Sequence, residues 1–494
     1  MEIRRVLGDS SLYAIGNISR QIVGFIMLPI YTRYLSPEDY GLVALLVFLI
    51  SVIDVTFGAR LSQAVMKFYF QYKEQSDRNA VFSSALIQTG AISLIVVIAV
   101  VLGRGQLSEV LFDSNSYSLI IALFGVTILT SAIENYGLIF LRLNNRAKDF
   151  FFLNVSKLIM QVFLNVYLII FLELGVMGVV LSNVCSSIVF SIIISVITIS
   201  KTGLHYNKAI GIMLVKFNWP LWLAGFANLY IGSSNRYILK EFASLTDIGL
   251  LELATRFSGI LLLVIWEPFF LYWGPERFNI YNSDARHSTV YQSVFMIVSA
   301  VLFSAGLGIS VLSWDIINIM SPESYIGAAT AVPVLVLCGI FQCLKTFFNF
   351  SLLATDNTKK ISFVGYFTAA ICTIYMLFLI PKYGFIGASV ALCLTFSTQF
   401  LILRLVAVRY FDSKIIIWPL AFMVPAFLML VYVMQYFQPS ENVMLNLFYR
   451  FLLTLVLTIP FLATPFILKR NRNELLGLMR KYNIIRDRQA DRRD

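Results

Sequence analysis

The residues best placed to do chemistry in this sequence are ionisable ones set inside otherwise apolar runs. They are Arg20, Asp54, Arg60, Glu134, Lys157, Glu252, Arg256, Glu267, Lys345 and Arg450. A charge in such a setting is costly and is kept where it meets a partner or faces a wet interior. Arg20 lies fourteen positions inward from Tyr34, and Asp54 fourteen inward from Tyr40. At about 1.5 Å per residue that puts both at similar depth on adjacent antiparallel helices, open to reading as an ion pair or as a solute-handling pair. Glu252 and Arg256 stand four apart with the acid first, the order that favours a self-neutralising pair on one helix face. Glu134 and Lys345 occupy near-equivalent places in the two halves of the chain and are expected to face each other across a central axis. Arg60, Lys157 and Arg450 sit nearer the ends of their runs, where long side chains snorkel toward water. Glu267 is expected within reach of water. Cations narrowly outnumber acids among the deep positions, so a cavity lined by them favours an anionic solute.

Other chemistries find little support. The cysteines, Cys185, Cys338, Cys343, Cys372 and Cys393, all fall in apolar runs and read as small buried hydrophobes. His205 and His287 stand alone in polar connectors, and no Cys/His ligand spacing is present, so no metal or other cofactor is expected beyond a coupling proton or sodium ion.

The elements that position these charges follow from composition. Of 494 residues, 59% are hydrophobic and 13% charged, with a mean hydropathy of +0.80. A soluble chain carries about a quarter charged residues; this one needs lipid as its solvent, where only helices and closed barrels satisfy the backbone. The apolar runs are continuous and long enough to cross as helices, and they predict an all-α integral membrane protein of about fourteen transmembrane helices. The first run, beginning after Arg4 and Arg5 and ending near Tyr34, is too long for a cleaved signal and reads as a retained span. Alternate connectors collect the cations: Lys67, Lys73 and Arg78; Arg142, Arg146 and Lys148; Lys201, Lys208 and Lys216; Arg404, Arg409 and Lys414. Positive connectors face the cytoplasm, which places both termini there and accounts for the net charge of +11 without nucleic acid. The tail from 469 to 494 mixes Leu475, Leu476, Met479 and Ile484 with basic residues, a pattern open both to an amphipathic helix on the membrane lipid and to a solvated end.

The chain also repeats. Leu35-Ser-Pro-Glu-Asp-Tyr-Gly-Leu-Val-Ala-Leu45 aligns with Ala243-Ser-Leu-Thr-Asp-Ile-Gly-Leu-Leu-Glu-Leu253, and Gly175-Val-Met-Gly178 falls on Gly384-Phe-Ile-Gly387 at nearly the same offset. Duplication of a six-helix unit predicts bundles over 1–203 and 204–411 related by a pseudo-twofold axis along the membrane normal, two further helices over 412–468, and the tail. The stretch Leu28-Pro-Ile-Tyr-Thr-Arg-Tyr-Leu-Ser-Pro-Glu-Asp-Tyr-Gly-Leu42 resembles the first-loop signature of polysaccharide-type transporters in the multidrug/oligosaccharidyl-lipid/polysaccharide exporter superfamily. Ser234-Asn-Arg-Tyr-Ile-Leu239 resembles that family's seventh-span signature, with Asn235 where Asp more often stands.

The resemblance implies a flippase in the cell inner membrane that moves polyprenyl-pyrophosphate-linked oligosaccharides between leaflets by alternating access, not an enzyme. Surface polymers such as O-antigen, capsule or exopolysaccharide are then the products, and the polymerase and chain-length machinery of the same pathway the expected partners. On this reading Arg20, Arg256 and Lys345, with Arg60 behind them, contact the pyrophosphate through charge-assisted hydrogen bonds. Asp54 or Glu134 carries the coupling ion, and the sugars ride in a wet polar cleft. Two rivals remain: a cation-coupled drug exporter of the same superfamily, which would be expected to carry an acid in the first span, and a membrane polymerase or ligase, which would need an acid–base set on an outer loop.

Overall fold

The computed structural model describes residues 24–57, 61–283, 287–355, 357–410, 415–437 and 442–467. Arg20, Arg60, most of the first expected span and the basic tail lie outside these residues. Among the described residues there are helices and connectors but no strand, and ten helices are long and apolar enough to cross a membrane. The chain forms two compact units, Met1–Glu252 and Leu253–Asp494.

The first unit begins with α1 (Leu28–Tyr34), α2 (Pro37–Phe57), α3 (Ser62–Tyr69) and α4 (Gln75–Leu102). It continues through α5 (Arg104–Phe112), α6 (Ser118–Leu143), α7 (Ala147–Val166) and α8 (Gly175–Thr202), then α9 (Lys208–Ser233), α10 (Asn235–Phe242) and the start of α11 (Leu245–Leu261). Leu42, Leu46 and Ile50 of α2 pack on Val97, Ile121, Phe124 and Val184. A second core joins Leu61, Phe82, Tyr136, Phe140, Phe150 and Leu214. The outward stripe of α7, with Phe152, Ile159 and Phe163 exposed, is the apolar surface that lipid covers.

The repeated motif has a local physical meaning. In α2 the Ser36 N–H donates to Asp39 Oδ2 at 3.0 Å and the Asp39 N–H returns to Ser36 Oγ at 3.1 Å. In α11 the Asp247 N–H donates to Ser244 Oγ at 3.0 Å while that hydroxyl donates to Asp247 Oδ2 at 2.5 Å. Both are capping boxes that satisfy the open N–H groups of a helix start. Gly41 and Gly249 follow, and they meet: a Cβ on Gly41 would strike the Leu245 carbonyl oxygen, and one on Gly249 the Pro37 carbonyl oxygen. Only glycine allows this main-chain approach. The second matched pair behaves alike, each glycine packing on the main chain of the preceding span, Gly178 on Leu168 and Gly387 on Leu379.

The second unit contains the rest of α11, α12 (Glu267–Ser283), α13 (His287–Met320), α14 (Val332–Ala354), α15 (Thr358–Ala407), α16 (Leu420–Tyr436), α17 (Val443–Leu457) and α18 (Ile459–Ile467). The two spans expected from 361 to 408 form one continuous helical run broken at Gly384, whose φ of +53° only glycine adopts readily. The core is aromatic: Phe295, Phe347, Phe348 and Phe400 are all buried.

Candidate functional site

In the first unit, α9 is started by Asn207, whose side-chain oxygen accepts from the N–H groups of Ala209 and Ile210 at 3.0 and 3.3 Å. The helix then carries Asn218, Trp219 and Trp222. The Trp222 indole N–H donates to the Val55 carbonyl near the end of α2, using a carbonyl that the helix end leaves open. The Trp219 and Trp222 rings lie 4.8 Å apart, tilted by 38°.

Two cavities flank Trp222 and share it and Asn218. One, of about 360 Å³, is lined by Thr56, Gln88, Ile92, Asn218, Trp219 and Trp222 among others. The Gln88 Oε1 atom is buried with no hydrogen-bond partner among the described residues. The other, of about 370 Å³, is lined by Ser62, Gln63, Asn135, Arg142, Asn218 and Trp222 among others. Both fall in the size range of small-molecule sites, roughly 300–1,000 Å³. Tyr136 fixes their walls: its hydroxyl accepts from the Leu61 N–H at 2.8 Å and shares a 2.9 Å hydrogen bond with Thr89. Asn135 Nδ2 donates to Ser62 Oγ at 3.1 Å. Arg142, assigned by sequence to a connector, lines the second cavity with its guanidinium 5.1 Å from the Phe150 ring centre.

The expected charges are distributed as follows. Asp54 is buried in α2. Glu134 takes Lys157 at 2.5 Å, and that ammonium also donates to Ser187 Oγ at 3.2 Å. Lys157 therefore reaches inward to an acid instead of snorkelling. Glu252 pairs at 2.6 Å with Arg236, a partner to which the four-residue spacing from Arg256 did not point. The short α10 folds Arg236 back toward α11, while Arg256 is exposed. Arg450 does not snorkel either. It is 1% exposed and grips Asp315, its Nη1 lying 3.1 and 3.0 Å from the two carboxylate oxygens. Asp315 escaped the sequence reading because the expected span ended near 312, whereas α13 runs on to Met320.

Lys345 is the cation of the second unit with a different environment. Its ammonium donates to Gln399 Oε1 at 2.6 Å and lies 4.5 Å from the Phe396 ring centre. Among the described residues no carboxylate pairs with it. Glu134 and Lys345, expected to face one another, each have a partner within their own unit. An amide and an aromatic face hold an ammonium in place without cancelling its charge.

The structure is similar over 92% of this chain and 98% of the other to a lipid II flippase, MurJ, in an inward closed conformation, with a TM-score of 0.74 at 17% identity. It is similar over 81% of this chain and 95% of the other to an inward-facing multidrug resistance MATE family transporter (TM-score 0.61, 13% identity). The MATE multidrug transporter DinF-BH gives a TM-score of 0.58 at 13% identity, covering 82% and 95% of the two chains. These likenesses establish the fold, that of multi-pass membrane flippases and exporters. No curated protein matches the sequence. Residues 6–270 match the family described as polysaccharide biosynthesis protein, and with more than half of its length covered the chain belongs to that family.

Proposed function

We propose that the protein is a flippase that moves polyprenyl-diphosphate-linked oligosaccharides from the cytoplasmic to the outer leaflet for surface polysaccharide biosynthesis. The observation that carries this reading is the conjunction of a polysaccharide-biosynthesis family match over residues 6–270 with the fold of a lipid II flippase. Lipid II flippase names a lipid-linked cargo, and this reading extends that class of cargo to the present chain. Lys345, a cation with no carboxylate partner among the described residues, suits the diphosphate; Arg256 is exposed and suits the same role. Arg20 and Arg60 complete the proposed anion-binding set. Asp54, buried in α2, is the proposed site for a coupling proton or sodium ion. Glu134 would take that part only by releasing Lys157.

Alternating access about a pseudo-twofold axis is supported by the two capping boxes and the reciprocal Gly41–Gly249 contact, and cationic connectors support cytoplasmic termini. The test is deletion of the gene followed by analysis of lipid-linked sugars. The flippase reading expects oligosaccharide accumulating on the inner leaflet and loss of a surface polysaccharide, restored by the wild-type chain and not by Lys345→Met. Unchanged glycans with heightened sensitivity to cationic compounds would overturn it in favour of a drug exporter. Repeat units that reach the outer leaflet yet stay unpolymerised would overturn it in favour of a polymerase.

A further inference from the structure

We infer that the two chambers flanking Trp222 in the first unit form a subsite for pyranose rings, with the Trp219–Trp222 pair as its stacking face. The inference rests on the flippase reading and adds to it where the sugars are held. Three observations converge. First, Trp219 is 54% exposed yet lines the chamber, so a large aromatic face is presented instead of being consumed in packing. Its neighbour is held in place by the bond from the Trp222 indole to the Val55 carbonyl. A fixed ring offers a preorganised surface to the C–H face of a sugar, since the ring face carries the negative end of the aromatic quadrupole.

Second, the polar groups around the aromatic pair are mostly neutral amides and hydroxyls: Gln88 and Asn218 on one side, Ser62, Gln63 and Asn135 on the other. Amides supply donors and acceptors together, which is what a ring of hydroxyls requires, and they bind it without selecting a charge. The buried Gln88 oxygen, with no partner among the described residues, is an acceptor left for a hydroxyl. Third, among the described residues the charged side chain lining these chambers is that of Arg142, in the second. The chambers therefore suit a neutral glycan, with an acidic substituent placed beside Arg142. Ion binding or a cationic drug would call for carboxylates in the lining, and among the described residues neither chamber has one.

The experiment compares binding of two kinds of probe to the purified full-length protein in nanodiscs. One is farnesyl diphosphate; the others are farnesyl diphosphates bearing glucose, galactose or N-acetylglucosamine. A stacking face is tolerant of sugar identity, so at least one glycosylated probe is expected to bind about tenfold more tightly than the bare diphosphate, about 1.4 kcal/mol. Trp219→Ala abolishes that increment and leaves the affinity for bare farnesyl diphosphate unchanged, while Trp219→Tyr retains most of it. Lys345→Met weakens all the probes together. If every probe binds wild-type protein equally, or Trp219→Ala keeps the increment, the sugar subsite is wrong while the diphosphate site stands. If no probe binds, the flippase reading itself falls and the inference falls with it.

Discussion

Replacing Asp315 with alanine strands the Arg450 guanidinium inside the second unit. The two side chains are 5% and 2% exposed, so water cannot take over the carboxylate's role. Arg450 makes two bonds to Asp315, one of 3.0 Å from Nε to the Phe437 carbonyl and one of 3.3 Å from Nη2 to the Gln435 carbonyl. The mutation removes the two charged bonds and leaves only the two carbonyls. Hydrogen bonds to charged groups contribute about 1.5–3 kcal/mol each, and removing one partner of a buried pair costs about 3–5 kcal/mol. The expected loss is therefore about 3–5 kcal/mol. It should appear in reversible unfolding by added SDS in mixed micelles, as an earlier transition of the second unit. Because the carbonyls that hold Arg450 lie at the C-terminal end of α16, the loss should also loosen α16 and α17 from α13. Asp315→Leu combined with Arg450→Leu removes both charges and should recover most of the lost stability, since apolar replacements of buried pairs are often neutral or stabilising. If the single variant loses less than about 1 kcal/mol, or the double variant is no better than the single, the pair is not the fastening that the geometry implies.

Other consequences follow from the same kind of contact. Gly41→Ala and Gly249→Ala each place a methyl on a main-chain carbonyl of the crossing partner. Each should lower stability by about 1–3 kcal/mol, the cost of overpacking, and thermal unfolding with a fluorescent thiol probe would measure it. Glu134→Gln removes the acid that Lys157 contacts at 2.5 Å and should destabilise by about 1–3 kcal/mol; a double-mutant cycle with Lys157→Met should show coupling between the two sites. Lys345→Met strands no carboxylate among the described residues and leaves only the neutral Gln399 amide without its donor, a cost of about 1–3 kcal/mol. The protein should still fold while losing tenfold or more in affinity for farnesyl diphosphate, read by thermal shift and by binding.

The sequence was most informative where a single segment determines its own structure. Apolar runs marked the helices, and the matched Ser36/Ser244, Asp39/Asp247 and Gly41/Gly249 pairs turn out to be capping boxes and the glycines of one helix crossing. Spacing along one helix could not show which helix approaches from elsewhere. Glu252 found Arg236, sixteen residues earlier, across the turn between α10 and α11. Arg450 found Asp315, 135 residues away. The aromatic chambers carried no charge to draw attention. Trp219 and Trp222 were not singled out, and the available signal was their three-residue spacing beside Asn218, which puts them on neighbouring faces of one helix turn. Lys345 was legible as a membrane cation; that Gln399 and Phe396 surround its ammonium became visible only in the structure.

The most direct test of the central claim is leaflet exchange in proteoliposomes made with the purified chain and lipid-linked oligosaccharide extracted from the deletion strain. Sugar accessible to a membrane-impermeant lectin at the far leaflet is scored against protein-free vesicles. The flippase account predicts exchange well above that background, driven by an imposed proton or sodium gradient and lost in Lys345→Met. Exchange no faster than in protein-free vesicles, under either gradient, would contradict it.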